Sequence, residues 1–172
     1  FTIAGNESLL HDIVRSIPVS EITSTVTLGD YGTADGSASM SFLKDLMVSL
    51  RDLHGPQLQF QIIYEDLPNN DFNSLFRRLS GIIPEPRSYL LDLDNVFPMA
   101  SGIEFRKQCV PFNSMHFIMS TTAVHWLSRR PIRYKDSLYV YPESSMEERK
   151  AVYDVARKDW ETFLLMRSRE LK

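Results

Sequence analysis

The chain is poor in cysteine: Cys109 is the single thiol in 172 residues. That excludes an internal disulfide framework and a cysteine-rich zinc site. A lone thiol kept reduced is the simplest reading. An excess of charge of one sign is also missing. Lys and Arg number 19 and Asp and Glu 22, a formal net charge of −3. There is thus no global electrostatic pull toward nucleic acid or an anionic membrane. No apolar run reaches the about 18 residues that cross a bilayer. No basic start leads into an apolar stretch, as a secretory leader requires. The expected setting is cytoplasmic.

Several motifs are absent as well. The glycines form neither G-x-G-x-x-G nor the Walker G-x-x-x-x-G-K-S/T pattern. This disfavours a nicotinamide oxidoreductase and a nucleotide hydrolase. No G-x-S-x-G elbow occurs. His11, His54, His116 and His125 show no paired metal-ligand spacing, so no metal site is expected. No internal repeat is present.

What remains is ordinary globular composition, 43% hydrophobic and 24% charged, enough for a buried core. Residues 7–17 carry Leu9, Leu10, Ile13, Val14 and Ile17 at helical spacing, ended by Pro18. Residues 23–29 are β-branched and predict a strand. A helix is expected over residues 37–53, closed by His54-Gly55-Pro56. Residues 58–65 predict a second strand. Asn70 or Asp71 caps a helix carrying Phe72, Leu75, Phe76 and Leu79. A third strand is expected within residues 88–98 and a buried fourth over residues 115–120. A short helix is expected over residues 122–127, and a long one over residues 145–171. The long helix has an apolar stripe of Val152, Val155, Ala156, Trp160, Phe163, Leu164 and Leu171. The alternation predicts an α/β domain with a largely parallel sheet. In such sheets ligands sit beyond the carboxyl ends of the strands.

Three strand ends carry chemistry. The first opens into Asp30-Tyr31-Gly32-Thr33-Ala34-Asp35-Gly36, a glycine-bearing loop that either holds an anionic group or simply makes a tight turn. The second ends in Glu65-Asp66, where a carboxylate is placed to accept hydrogen bonds from ribose hydroxyls. The fourth leads to His125-Trp126, an apolar wall beside a titratable ring. Elsewhere, Asp92 and Asp94 read as one exposed strand face, His116 as structural, and Arg129, Arg130, Arg133 and Lys135 as a solvated basic loop.

Asp66-Leu67-Pro68-Asn69-Asn70-Asp71-Phe72-Asn73-Ser74-Leu75-Phe76 resembles the N-D-L-P-x-N-D-F-N segment of the SABATH carboxyl methyltransferases, which use S-adenosylmethionine. Ser120-Thr121 through His125-Trp126-Leu127-Ser128 resembles the family's S-S-x-x-L-H-W-L-S segment. Asp159-Trp160, Phe163-Leu164, Arg167-Ser168 and Glu170-Leu171 resemble its D-W-x-x-F-L-x-x-R-x-x-E-L helix. Together these segments cover nearly the whole chain.

The resemblance implies a Rossmann-like class I methyltransferase fold over residues 1–172. It also implies methyl transfer from S-adenosyl-L-methionine to a small-molecule carboxylic acid. By the same resemblance Ser8, Asp30, Gly32, Asp66, Leu67, Glu104 and Phe105 bind cofactor. His11, His125 and Trp126 then bind substrate, the last two by positioning the acceptor. Homodimers are common in the family, and neither nucleic acid nor membrane is an expected partner. The departures are Ala38 for an Asn of the cofactor loop, Glu104 for Ser, and His11 for Gln. They leave the acceptor open and admit a catalytically inactive methyltransferase-like binding or scaffold domain as the alternative. Phe1 is not Met, and the helical pattern runs to Lys172 without a stop signal. The expectation is an N-terminal portion of a longer enzyme, with the last strands and a helical cap beyond it.

Overall fold

The computed structural model describes residues 7–20, 25–133 and 144–172. The start of the first expected strand (residues 23–24) and Lys135 lie outside the described residues. Helix α1 spans Glu7–Ser16, strand β1 Thr25–Tyr31, helix α2 Met40–His54 and strand β2 Gln59–Glu65. Helix α3 (Phe72–Leu79), strands β3 (Val96–Ser101) and β4 (Phe117–Met119), and helix α4 (Met146–Glu170) follow. The four strands form one sheet in the order β3-β2-β1-β4, every pair parallel. The chain fills one side of β1, then crosses to the other. That reversal creates a crevice beyond the carboxyl ends of β1 and β4. The expected α/β architecture with a parallel sheet is what the chain adopts.

The core explains the pairing. β1 presents fully buried Val26 and Leu28, and β2 presents Phe60, Ile62 and Tyr64. α2 returns antiparallel over them and buries Met40, Leu43, Leu46, Met47 and Leu50, an i, i+3, i+4 set. Each such side chain contributes about 1.5–3 kcal/mol on burial. Gly55 stops α2 at φ 107°, its N–H closing on Arg51 O. α3 starts at Asp71, whose side chain accepts from Ser74 N at 3.2 Å, so the cap is Asp71 rather than Asn70.

Two expected elements differ. Leu91-Asp92-Leu93-Asp94 alternates like a strand but forms a 3-10 turn and its exit. Ser88 caps Tyr89–Leu91, and Tyr89 is pulled inward to meet Tyr64, hydroxyl to hydroxyl at 2.8 Å. Asp92 is held outside by Arg87 and Lys44, and β3 begins only after Asn95 turns the backbone at φ 56°. Residues 122–127 form a turn instead of a helix, with one i+3 bond, Trp126 N to Ala123 O at 3.0 Å. So short a segment, preceded by two threonines, does not repay helix nucleation.

Candidate functional site

The crevice at the strand ends is a cleft of ≈ 350 Å³ lined by Gly32, Ala34, Asp66, Leu67, Asn70, Glu104, Phe105, Arg106, Thr122, Ala123 and Trp126. This lies within the size range of small-molecule sites. Six residues singled out from the sequence converge on it: Gly32, Asp66, Leu67, Glu104, Phe105 and Trp126.

The floor is the loop after β1, tied to β2 by backbone chemistry. Gly32 N and Thr33 N both donate to Glu65 O, at 2.8 and 3.0 Å. Asp66 Oδ2 accepts from Ala34 N at 2.7 Å, and Asp66 Oδ1 accepts from its neighbour Leu67 N at 2.7 Å. Asn70 Nδ2 donates to Ala34 O at 2.8 Å. These bonds hold Ala34 at φ 51°, a left-handed value that costs a non-glycine residue ~1–2 kcal/mol. Arg78 of α3 fixes the far side of the loop through Asp35 at 2.6 Å. Gly32 takes φ 75°, and a Cβ there would overlap the Ala123 methyl. Its immediate neighbour is therefore the loop after β4, which glycine lets come close.

Asp30 lies beneath the loop rather than in the cleft. Its Oδ2 accepts from Thr33 Oγ1 at 2.7 Å and Ser39 Oγ at 2.6 Å, while Oδ1 is buried with no hydrogen-bond partner among the described residues. Burial raises its pKa, and the two hydroxyls oppose this. Of the acidic pair Glu65-Asp66, Glu65 is the buried member. Its side chain is fully buried, Oε2 accepts from Gly32 N at 3.1 Å, and Oε1 has no hydrogen-bond partner among the described residues. Desolvation pushes its carboxyl up to about 8, with the Gly32 N–H opposing and the charge of Asp66 adding to the rise. At neutral pH it is largely a neutral acid under the loop.

The apolar walls are Leu67, Phe105 and, from the turn after β4, Trp126. Glu104 pairs with Arg106, Nε to Oε1 at 2.5 Å. Phe105 is held from behind by α4: Arg167 donates to Phe105 O at 2.5 Å and to Lys107 O at 2.9 Å, and Phe163 packs edge-on against the ring. His125 is exposed and is not among the cleft-lining residues, though its ring lies 5.1 Å from that of Trp126. On a helix adjacent side chains diverge by about 100°; the turn here lets the two rings lie side by side. Ser8 and His11 are not brought to this cleft. α1 packs along α2, and His11 lines a separate groove of ≈ 390 Å³ with Ser49, Asp52 and Leu53. Those residues close α2, so the groove lies toward the amino ends of the strands.

The arrangement suits a cationic, partly apolar ligand carrying a diol. Each Asp66 oxygen already accepts one backbone N–H and keeps lone-pair capacity for a hydroxyl. Asp66 and Glu104 outnumber the one cation, Arg106, among the cleft-lining residues. Leu67 and Phe105 offer flat apolar surface to an aromatic base. S-adenosylmethionine has these properties, and the donor set fits it. Among the described residues no group of three or more His, Cys, Asp or Glu is arranged to hold a metal ion.

Comparison with known proteins places the chain in a family. The family model described as SAM dependent carboxyl methyltransferase matches residues 2–172. A probable S-adenosylmethionine-dependent methyltransferase of Arabidopsis thaliana is 32% identical over 165 residues, 86% of this chain and 43% of that protein. A probable 7-methylxanthine methyltransferase of Theobroma cacao is 30% identical over 96% of this chain and 46% of its own length. The farnesoic acid carboxyl-O-methyltransferase of Arabidopsis thaliana is 27% identical over 98% of this chain and 49% of its own. The solved structure of loganic acid methyltransferase with SAH superposes with a TM-score of 0.71 at 24% identity, over 95% of this chain and 49% of that one, which speaks for the fold. The chain spans about half the length of the curated relatives it matches. By these matches the chain belongs to the SAM-dependent carboxyl methyltransferase family.

Proposed function

We propose that this chain carries the cofactor half-site, and one wall of the acceptor pocket, of an enzyme that moves the methyl group of S-adenosylmethionine onto the carboxylate of a small acid. The observation that carries the reading is the position of Asp66. It stands at the carboxyl end of β2, both oxygens braced by backbone N–H groups, at the mouth of a cleft walled by Leu67, Phe105 and Trp126. In this reading Asp66 accepts hydrogen bonds from the ribose diol, and Leu67 and Phe105 flank the adenine. Glu104 adds negative charge near the cofactor, and Gly32 and Ala34 line its floor. Asp30 supports that loop from below through Thr33 and Ser39. This reading leaves Ser8 and His11, which do not line that cleft, outside both the cofactor and the acceptor sets.

The cofactor supplies an electrophilic methyl carbon on a sulfonium. The acceptor carboxylate is already ionised at neutral pH, its pKa lying near ~4. No general base is required, and among the described residues the titratable cleft-lining groups are only Asp66, Glu104 and Arg106. Because the sulfonium and the carboxylate carry opposite charges that such a transfer would cancel, a dry apolar wall would favour it. Trp126 supplies that wall, with His125 at its rim to orient the carboxylate. The role of these residues would be to hold the acceptor carboxylate oriented toward the cofactor. The same reading assigns a homodimer in the cytoplasm. Among the described residues no helix is long and apolar enough to cross a membrane.

The test uses the full-length protein, labelled S-adenosylmethionine, and a panel of aromatic acids, aliphatic acids and methylxanthines. Base-labile label on a carboxylic acid supports the proposal. Base-stable label on a xanthine replaces it with nitrogen methylation, and cofactor binding without turnover supports an inactive domain. Asp66→Ala should abolish S-adenosylhomocysteine binding by calorimetry; unchanged affinity would sink the cofactor assignment.

A further inference from the structure

Trp126 is 69% exposed, so little packing fixes the acceptor wall in place. Three tethers do so instead. Trp126 N donates to Ala123 O within its own turn. Ser128 N donates to Asp159 Oδ2 of α4 at 2.6 Å. The third tether comes from a separate cleft-lining segment: Arg106 Nη1 donates to Trp126 O at 2.9 Å. The same guanidinium binds Glu104 through Nε, lies 5.0 Å above the Phe105 ring, and stands 3.8 Å from Asp159. The Arg106 side chain is only 18% exposed and lines the same cleft. It has a negative partner on each side, so the fork is directed rather than free to swing.

We propose that Arg106 is a positioning residue that couples the Phe105 and Trp126 walls, so that cofactor seated against Glu104 and Phe105 fixes the backbone of Trp126 and thereby shapes the acceptor pocket. This rests on the cofactor reading given above. The chemistry demands a fork. One donor edge serves a carboxylate and another serves a carbonyl on a different loop, while the planar face rests on an aromatic ring. A lysine ammonium has the charge but cannot hold both partners in fixed directions. Movement of Glu104 as cofactor fills its side of the cleft is then carried through one rigid group to Trp126. Coupling of this kind is reciprocal: acceptor bound against Trp126 should tighten cofactor by the same factor.

The experiment is a titration of the full-length protein with S-adenosylhomocysteine, read by calorimetry and tryptophan emission. The part of the emission change that disappears in Trp126→Phe belongs to Trp126. In the parent, S-adenosylhomocysteine should shift that component. In Arg106→Met, which keeps the stem on Phe105, binding should persist within about tenfold while the Trp126 component is lost. Arg106→Lys should show an intermediate response and serves as the readable variant if Arg106→Met does not fold. In turnover assays the KM for the acceptor should rise at least several-fold in both variants, more than the KM for S-adenosylmethionine. A parent that binds and an Arg106 variant with the parental Trp126 response overturn the coupling and leave the cofactor reading standing. A parent that binds no S-adenosylhomocysteine overturns both.

Discussion

Gly32 N is shared between the backbone oxygen and the side chain of Glu65, yet the two residues ask different things of the loop after β1. Gly32 must hold φ 75° with the Ala123 methyl against it. Gly32→Ala therefore meets both backbone strain and a collision. It should destabilise the chain by about 2 kcal/mol or more, read by urea denaturation, and weaken S-adenosylhomocysteine binding because the two loops must part. Asp66 was legible in the sequence because the acid follows a predicted strand. Glu65 was not, although it is the adjacent residue. Successive strand residues face opposite sides of a sheet, and two neighbouring acids give no signal as to which is buried. Arg106 was equally hidden, since its partners Glu104, Trp126 and Asp159 come from three segments.

Among the elements, α4 shows how a helical stripe can be read correctly in place and wrongly in composition. Val155 and Phe163 are buried as the spacing predicts, but Trp160 and Leu164 stay half exposed. The inward line continues instead through Arg167 and Glu170, both almost fully buried. Arg167 pairs with Glu170 at 2.8 Å and lies over the Tyr31 and Phe163 rings. Glu170 accepts from Tyr31 Oη at 3.0 Å and Cys109 N at 2.5 Å. Charged residues at core positions escape a hydrophobic pattern. Glu170→Ala leaves a buried guanidinium without its counter-ion and takes the carboxylate from the Tyr31, Cys109 and Val110 donors, and should cost about 3–5 kcal/mol in denaturant unfolding. At the other end of α4, Ser145 and Glu148 form a reciprocal capping box. Ser145→Ala should cost ~1 kcal/mol, measurable in the same assay. The short helix expected over residues 122–127 failed for lack of length, and the third strand was placed early because Leu91–Asp94 imitates strand alternation.

At the level of the whole molecule, stability should respond to pH through two buried groups acting in opposite senses. His116 Nδ1 accepts from Thr27 N at 2.9 Å, and burial together with the Lys172 charge lowers its pKa to about 4. Between 6.5 and 4 the unfolded chain takes up a proton that the folded chain refuses, so stability falls as pH drops. Glu65, raised to about 8, does the reverse. Between 4.5 and 8 the unfolded chain has lost a proton that the folded chain keeps, so stability falls as pH rises, by at most ~1.4 kcal/mol per pH unit. The buried Asp30 carboxyl adds to that slope in the same sense. From 4.5 to 6.5 the His116 and Glu65 slopes oppose each other, and above 6.5 Glu65 acts without that counterweight. Glu65→Gln should flatten the decline between pH 6.5 and 8 and let stability rise from 4.5 to 6.5, read from unfolding midpoints across that range. The sheet itself was legible because β1-α2-β2 alternates with clear periods and its ends carry the loops that form the cleft. The central position of β1 has a further bearing on how the chain is made. Its partners on one side, β2 and α2, follow at once, whereas Thr27 waits for His116, 89 residues later, and Tyr31 for Glu170, 139 residues later. At about 5–20 residues per second of synthesis, the second interval lasts on the order of ten seconds. Through it the unsatisfied edge of β1 is open on the ribosome to whatever strand or chaperone arrives first.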